Sequence, residues 1–286
     1  MAINFNEVDA LGIDVSWHNG DINWRKVSQA NVNGRPVSFA YIKATQGQVY
    51  SKVDYFRNNA PKAMGVDLDV GAYHYFDGCT VPEAIVQMKY FLSVIKDYKL
   101  TLPPVLDLEE NKKKVSKKQL TDCVIVFLDG LLHAGYDDPI LYTGDNFLDT
   151  CLDEARLAPY KKWIARYGPN PKNKFDIWQY TSTGHVDGVS GDVDIDIVYS
   201  EFLTKKEPTH KVDCIVQFWQ AKALVSEFEE KGFKCQGIAH KKYGPGQKPA
   251  NNDAYTFRIF GSFEQAKAIV IDLKTRGYKD TKGSYI

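Results

Sequence analysis

The stretch Pro103-Pro104-Val105-Leu106-Asp107-Leu108-Glu109-Glu110 decides how this sequence of 286 residues is interpreted. Prolines and apolar residues lead into two acids that are two positions apart, a pattern that predicts a short buried strand. Side chains two positions apart point to the same face of a strand, so Asp107 and Glu109 are expected side by side. Like charges in a sheltered site keep one carboxyl protonated, which is how a general acid is made. The alternative is a pair of solvent-facing acids at a strand end.

Apolar strands alternate with helical segments along most of the chain before residue 200. Helices are predicted near 22–30, 53–64 with an interruption at Pro61, 82–98, 116–134 and 147–157. Strands are predicted at 11–16, 39–45, 70–76, around Asp107, and at 140–143, 163–167, 177–180 and 193–199. Five strand-helix units followed by three strands predict an α/β fold, in which a mainly parallel sheet closes into an irregular TIM-like barrel.

Acidic residues recur where the predicted barrel strands end. Asp14 ends the first strand, Asp107 and Glu109 end the fourth, and Asp194 lies in the eighth strand, which neighbours the first once the barrel closes. Since barrel enzymes carry their chemistry at the C-terminal ends of the strands, the four acids are expected at one mouth. Aromatic residues occupy comparable positions, although barrel packing is the ordinary role of any single one: Tyr73, Tyr75, Tyr142, Tyr167 and Trp178. Acids ringed by aromatic faces suit a sugar chain.

Seven segments, taken in order, resemble the strand motifs of the Chalaropsis-type lysozymes, glycoside hydrolase family 25. They are Gly12-Ile13-Asp14-Val15-Ser16, Ile42-Lys43-Ala44-Thr45, Ala72-Tyr73-His74-Tyr75-Phe76, Pro104-Val105-Leu106-Asp107-Leu108-Glu109, Trp163-Ile164-Ala165, Trp178-Gln179-Tyr180 and Gly191-Asp192-Val193-Asp194. The resemblance covers residues 11–199. It implies the same barrel and cleavage of the β-1,4 bond between N-acetylmuramic acid and N-acetylglucosamine in peptidoglycan, with retention of configuration.

The resemblance also implies a role for each site residue. Glu109 matches the general acid and base, and Asp107 matches its neighbouring carboxylate, which either attacks directly or orients the substrate's N-acetyl group; we favour the second route. Asp14 and Asp194 match the two further acids, and substrate binding falls to Lys43, Tyr73, Tyr75, Tyr142, Tyr167 and Trp178.

Two residues depart from the family pattern. Gln46 follows Lys-Ala-Thr where relatives often have an acid, which puts a secondary groove contact in doubt. Asp196 stands where Asn is frequent, and it adds a negative charge whose role the sequence does not assign.

The chain divides into a catalytic domain at 1–200, a polar linker at 201–210 and a small domain at 211–286. In the small domain Gln-Ala-Lys-Ala-Leu-Val at 220–225 recurs as Gln-Ala-Lys-Ala-Ile-Val at 265–270, and Lys-Gly-Phe-Lys at 231–234 recurs as Arg-Gly-Tyr-Lys at 276–279. This repeat predicts two βαβ units, which together form an α+β domain with a four-stranded sheet and two helices on one face. It resembles the SPOR domains that bind septal peptidoglycan, so we interpret it as a cell-wall-binding module.

The two parts of the chain carry opposite net charges. Residues 1–200 hold 21 Lys and Arg against 26 Asp and Glu, whereas residues 201–286 hold 15 against 10. A basic domain favours anionic wall polymers such as teichoic acid. The alternative is a domain that only stabilises or oligomerises the enzyme.

The N-terminus and the cysteines indicate the cellular compartment in which the protein is made. Nothing at the N-terminus resembles a secretory signal, and the five cysteines lack a CxxC or Cys/His cluster, which indicates free thiols and no zinc site. We therefore expect no metal or cofactor, no nucleic-acid partner and no membrane insertion. A peptidoglycan hydrolase made without a signal needs another way out of the cell, and a bacteriophage endolysin, made in the host cytoplasm and released through a holin-type lesion to a Gram-positive cell wall, meets this need. A prophage-encoded lysin or an autolysin exported without a signal is the alternative. Two other function classes stay open, a chitinase-like barrel glycosidase and a non-catalytic wall-binding protein.

Overall fold

A computed structural model describes residues 3–66, 68–199, 210–231, 233–240, 250, 253–261, 263–278 and 280–285. The chain forms two compact units, Met1–Leu203 and Thr204–Ile286. The predicted linker, residues 201–210, lies outside the described residues except for His210, which begins the first strand of the second unit. No helix in these described ranges is long and apolar enough to cross a membrane.

The first unit alternates strands and helices in the predicted order. Its strands are β1 (Ala10–Val15), β2 (Asn31–Val32), β3 (Arg35–Gln46), β4 (Asp69–Tyr75), β5 (Val105–Asp107), β6 (Ile140–Gly144), β7 (Lys161–Ala165), β8 (Ile177–Gly184) and β9 (Val193–Val198). Its α-helices are α1 (Trp24–Val27), α2 (Val53–Met64), α3 (Val81–Ile95), α4 (Lys117–His133), α5 (Asp145–Cys151) and α6 (Glu154–Leu157).

Eight of these strands close into a barrel. The sheet order is β1-β9-β8-β7-β6-β5-β4-β3, and β1 also pairs with β3 in parallel, while β2 is a short antiparallel partner of β3. The predicted barrel of five strand-helix units followed by three strands is therefore confirmed. Strand β9 is antiparallel to both of its neighbours, β8 and β1. Its start therefore lies at the mouth of the barrel, the edge where the parallel strands end.

Three helix predictions need correction. Helix α2 is continuous through Pro61, because a proline in the last turn removes only one backbone hydrogen bond and the face of Phe56, Ala60 and Ala63 stays buried. The helix predicted at 147–157 is split into α5 and α6, since Leu152 has an extended backbone. The helix predicted at 22–30 is reduced to the single turn of α1, which the side chain of Asn23 caps.

Aromatic side chains fill the inside of the barrel below the mouth. Phe39, Tyr41 and Trp163 are at most 1% exposed and belong to one interior cluster. Glycines make room for them: a Cβ on Gly12 would lie 2.3 Å from the Phe39 ring, and one on Gly71 would lie 2.2 Å from the Tyr41 ring. Packing of this kind fills the lower barrel beneath the mouth.

Residues on the outer face of the strands pack under the helices. His74 of β4 illustrates this layer, because it is fully buried, its ring stacks on Phe127, and it lies 2.7 Å from Thr45 Oγ1 and 2.9 Å from Gln87 Oε1. Its neighbours Tyr73 and Tyr75 therefore point to the opposite face of the strand, into the barrel. Burial lowers the pKa of His74 to about 3, so the imidazole is neutral and structural.

The second unit shows the repeat as two βαβ units. They are β10 (His210–Gln217), α7 (Phe218–Glu230) and β11 (Lys234–Ala239), followed by β12 (Ala254–Gly261), α8 (Phe263–Thr275) and β13 (Thr281–Tyr285). The four strands form an antiparallel sheet in the order β11-β12-β10-β13. Phe228 of α7 and Leu273 of α8 share one core with Phe257 of the sheet, so both helices cover the same face. The predicted α+β architecture is confirmed.

Candidate active site

The mouth of the barrel holds a cavity of about 210 Å³. It is lined by Asp14, Lys43, Tyr73, Tyr75, Val105, Asp107, Glu109, Tyr142, Trp163, Tyr167, Gln179 and Asp194. All four predicted acids meet here, together with Lys43 and four of the five predicted aromatic residues. Val105, Trp163 and Gln179 were not predicted as site residues.

Trp178 is the predicted site residue that the structure places elsewhere. It is fully buried in the outer core beside Phe175 and Tyr180, and its Nε1 donates a hydrogen bond to the carbonyl of Arg166 at 2.8 Å. The prediction that Trp178 lines the groove is wrong, because side chains alternate along β8 and Gln179 points inward. This alternation was the signal that could have identified Gln179.

Strand β5 positions the pair of Asp107 and Glu109. The strand ends at Asp107, whose carbonyl accepts a hydrogen bond from Phe76 N at 2.8 Å. Leu108 is anchored on the outer side, because its N–H donates to the Tyr142 carbonyl at 3.0 Å and its carbonyl accepts from Thr143 Oγ1 at 2.7 Å. Because the backbone of Leu108 is held in place, Glu109 points to the same side as Asp107, although it lies beyond the end of the strand.

The two carboxyls differ in exposure. Asp107 is 5% exposed, its Oδ1 has no hydrogen-bond partner among the described groups, and Glu109 is exposed at the rim. Burial and the charge of Glu109 raise the pKa of Asp107 well above its ordinary value. Although Glu109 is exposed as a whole residue, partial burial of its carboxyl in the cavity also raises its pKa, against the lowering effects of its contact with Asp107 and of Lys43. The pair of carboxyls therefore keeps one proton at pH values above those at which ordinary aspartates and glutamates lose theirs.

Lys43 supplies the positive charge of the cavity. Its Nζ lies 4.4 Å from the centre of the Tyr75 ring and 5.6 Å from that of Tyr50. Burial lowers its pKa, while the carboxylates of Asp107, Glu109 and Asp77 raise it. The amine therefore partly offsets the acids and is placed to contact a polar substrate.

Gln179 connects the aromatic wall to Asp14. Its Oε1 accepts hydrogen bonds from Tyr142 Oη at 2.8 Å and from Tyr167 Oη at 2.9 Å, and its Nε2 donates to Asp14 Oδ2 at 2.6 Å. Burial and the charge of Asp194 raise the pKa of Asp14. Asp194 faces Asp14 across the β1–β9 pair, and burial, together with the charge of Glu109, raises its pKa to about 6.

Comparison with known proteins identifies the family to which this barrel belongs. The profile of the family described as glycosyl hydrolases family 25 matches residues 13–189. The chain belongs to this family. Lysozyme M1 of Streptomyces globisporus is 36% identical over 202 residues, which cover 64% of this chain and 65% of that protein.

Two solved structures resemble the first unit. The bacterial lysozyme from Streptomyces coelicolor is 32% identical, with a TM-score of 0.57 over 67% of this chain and 92% of that one. A family 25 glycosyl hydrolase from Bacillus anthracis is 28% identical, with a TM-score of 0.60 over 70% and 95%. The family resemblance seen in the sequence is thus confirmed, and this family 25 member is a lysozyme-type peptidoglycan hydrolase.

Proposed function

We propose that this family 25 chain is an N-acetylmuramidase that cleaves the β-1,4 bond between N-acetylmuramic acid and N-acetylglucosamine of Gram-positive peptidoglycan, with retention of configuration. The observation that carries the proposal is the pair of contacting carboxyls, Glu109 at the rim and Asp107 in the wall of the same cavity. The tyrosines around it offer ring faces and hydroxyls to a sugar chain.

Exposure assigns different tasks to the two carboxyls. Glu109, at the rim, protonates the glycosidic oxygen as the bond breaks and then activates the water that completes hydrolysis. Asp107 is buried and keeps Oδ1 free to accept a hydrogen bond from the acetamido N–H of the substrate. That contact would orient the acetamido oxygen for attack on the anomeric carbon.

The contact between the two carboxyls favours this route over direct attack by Asp107. Enzymes with a carboxylate nucleophile hold their two carboxyls roughly 5 to 5.5 Å apart, with the anomeric centre between them. Asp107 and Glu109 are instead within hydrogen-bonding contact of each other. Both routes involve two inversions and therefore retain the configuration.

Nuclear magnetic resonance of the first minutes of digestion tests the bond and the stereochemistry together. We expect the anomeric signal of a newly formed β-configured N-acetylmuramic acid reducing end, followed by slow mutarotation. An initial α signal would contradict retention. A new N-acetylglucosamine reducing end would contradict the proposed bond and favour a chitinase-like specificity.

For the second unit we propose binding to an anionic wall polymer such as teichoic acid. The excess of basic residues in 201–286, 15 Lys and Arg against 10 Asp and Glu, supports this proposal. Ionic attraction at an exposed surface is screened by salt.

Wall binding by the full chain is therefore expected to weaken in about 0.5 M NaCl, where the Debye length falls to a few ångströms. The Glu109→Gln protein would be sedimented with purified walls, with and without prior removal of teichoic acid. Binding that is unchanged by both treatments would overturn the electrostatic proposal. Light scattering on the same protein would show whether the domain instead makes an oligomer.

The biological role that we propose is that of a phage endolysin, made in the host cytoplasm and released to the wall through a holin-type lesion. The five cysteines, all free in the structure, fit synthesis in a reducing compartment. Turbidity of a Gram-positive culture that expresses the chain tests this role. Lysis is expected only after the membrane is permeabilised, and lysis without that treatment would argue against holin-dependent release.

A further inference from the structure

Asp196 lies beneath the cavity, in a position that the proposed reaction leaves unused. It follows Asp194 by two residues on β9 and therefore points to the same inner face, and it is fully buried. In the sheet it is paired with Gly12 of β1 and Gln179 of β8. The Nε1 of Trp163 donates a hydrogen bond to its Oδ1 at 2.9 Å, and its Oδ2 receives none from the described groups.

The surroundings of Asp196 disfavour a negative charge. The titratable groups that face it are Asp14 on β1, Asp194 on its own strand, Tyr41 on β3 and, on the outer side, Tyr180 of β8. Burial raises the pKa of Asp196 well above its ordinary value, and the charges of Asp14 and Asp194 add a smaller effect in the same direction. A buried carboxyl with one neutral donor and acidic neighbours takes up a proton rather than stay ionised.

Asp14, directly above, needs hydrogen-bond donors. Gln179 is one of them, and its orientation is fixed because both tyrosine hydroxyls donate to Oε1 and leave only Nε2 to face Asp14. The carboxyl of Asp196 is within hydrogen-bonding contact of Asp14. Asp14 therefore lies between an amide donor and a carboxyl that a proton would turn into a second donor.

We propose that Asp196 is held as a neutral carboxylic acid that donates a hydrogen bond to Asp14, and that with Gln179 it keeps Asp14 ionised and in place. Asp196 is a positioning residue, since it reaches the substrate only through Asp14. Its effect on the rate rests on the proposed function, whereas its protonation state does not. Asn fits the same position because an amide has the shape of the neutral acid and likewise offers one acceptor and one donor.

Infrared difference spectroscopy of the full chain at pH 7 tests the protonation state. Wild type minus Asp196→Asn should show the carbonyl stretch of one protonated carboxylic acid. Asp122→Asn is the matched control and should show no such band, because Lys118 and Arg156 lower the pKa of Asp122 and keep it ionised. Absence of the band for Asp196 would overturn the proposal, whatever bond the enzyme cleaves.

The rate of wall lysis tests the positioning role. Asp196→Leu keeps the branched shape but removes the donor, and it should lower the rate by about 10- to 100-fold, the value of a hydrogen bond to a charged group. It should also move the acidic limb of the pH-rate profile upward, because an ionised Asp14 is then less stabilised. Asp196→Asn should recover most of the lost rate.

Two results would contradict the positioning role. One is Asp196→Asn being as slow as Asp196→Leu, and the other is both variants having the wild-type rate and pH profile. If Asp196→Leu does not fold, the infrared band and the rate of Asp196→Asn decide the outcome. If the wild-type enzyme cleaves a different bond and the infrared band is still observed, the proposed function is refuted, whereas the protonation of Asp196 is supported.

Discussion

Replacing Glu109 by Gln is expected to lower the rate of peptidoglycan lysis by about 10²- to 10⁴-fold, the usual contribution of a positioned general acid. Gln keeps the shape of Glu109 but has no proton of suitable acidity to give to the leaving oxygen. Because Glu109 is exposed at the rim, the variant should fold as the wild type does. Initial rates of turbidity loss of purified walls measure the effect, and thermal unfolding checks the fold.

The adjacent residue provides a matched control for this substitution. Glu110 has the same side chain and is exposed, but it forms an ion pair with Lys112 at 2.7 Å and lies outside the cavity lining. Glu110→Gln should therefore keep a rate close to that of the wild type. A Glu109→Gln protein with near-normal activity would refute the assignment of the proton donor.

The rate should also depend on pH through the same group. Burial raises the pKa of Glu109, so its protonated, acid-competent form persists above the ordinary glutamate range. The value of kcat/KM should fall as the pH rises through this raised pKa and the proton is lost. A profile whose alkaline limb lies at the ordinary glutamate pKa would contradict the perturbed site.

Replacing Asp107 by Asn is the second substitution with a large expected effect, a loss of about 10²- to 10³-fold in kcat with little change in KM. This is the usual cost of removing a preorganised group that stabilises charge in the transition state. Asn can still contact the acetamido group of the substrate. It cannot balance the positive charge that develops on this group as the acetamido oxygen attacks the anomeric carbon. Steady-state kinetics on a soluble muropeptide chain measures both constants.

A modified substrate separates the two routes assigned to Asp107. If the acetamido oxygen attacks, a trifluoroacetamido group on the muramic acid should slow the wild-type enzyme strongly, because the fluorines withdraw electrons from that oxygen. If Asp107 itself attacks, this substrate should react at a similar rate. Equal rates on the two substrates would therefore overturn the route through the N-acetyl group.

The acid cluster was predictable from the sequence because periodicity and topology act together. Alternation along a strand sets which residues face inward, and a barrel with eight strands brings the first strand next to the last. Asp14 and Asp194 are far apart in the chain but become partners across the β1–β9 pair. The small domain was predictable for a simpler reason, since its two halves repeat the same segments.

The parts of the site that were missed depend on which residues of a strand face inward and on contacts inside the barrel, which the residue types alone do not give. Trp178 has the residue type of a sugar-stacking group, yet its place in the alternation of β8 turns it to the outer core beside Phe175 and Tyr180. Gln179 gains its importance only from hydrogen bonds to residues on three other segments. The contact of Asp196 with Asp14 likewise follows from packing inside the barrel, not from spacing along β9.

Mass spectrometry of borohydride-reduced fragments from purified Gram-positive peptidoglycan tests the proposed bond and the role of Glu109 together, with wild-type protein and Glu109→Gln run side by side. We expect fragments ending in reduced N-acetylmuramic acid from the wild type, and almost none from the variant. Fragments ending in reduced N-acetylglucosamine, or peptide cleavage with intact glycan, would contradict the proposed bond. Equal release by both proteins would contradict the role of Glu109, and release by neither would favour a wall-binding protein without catalytic activity.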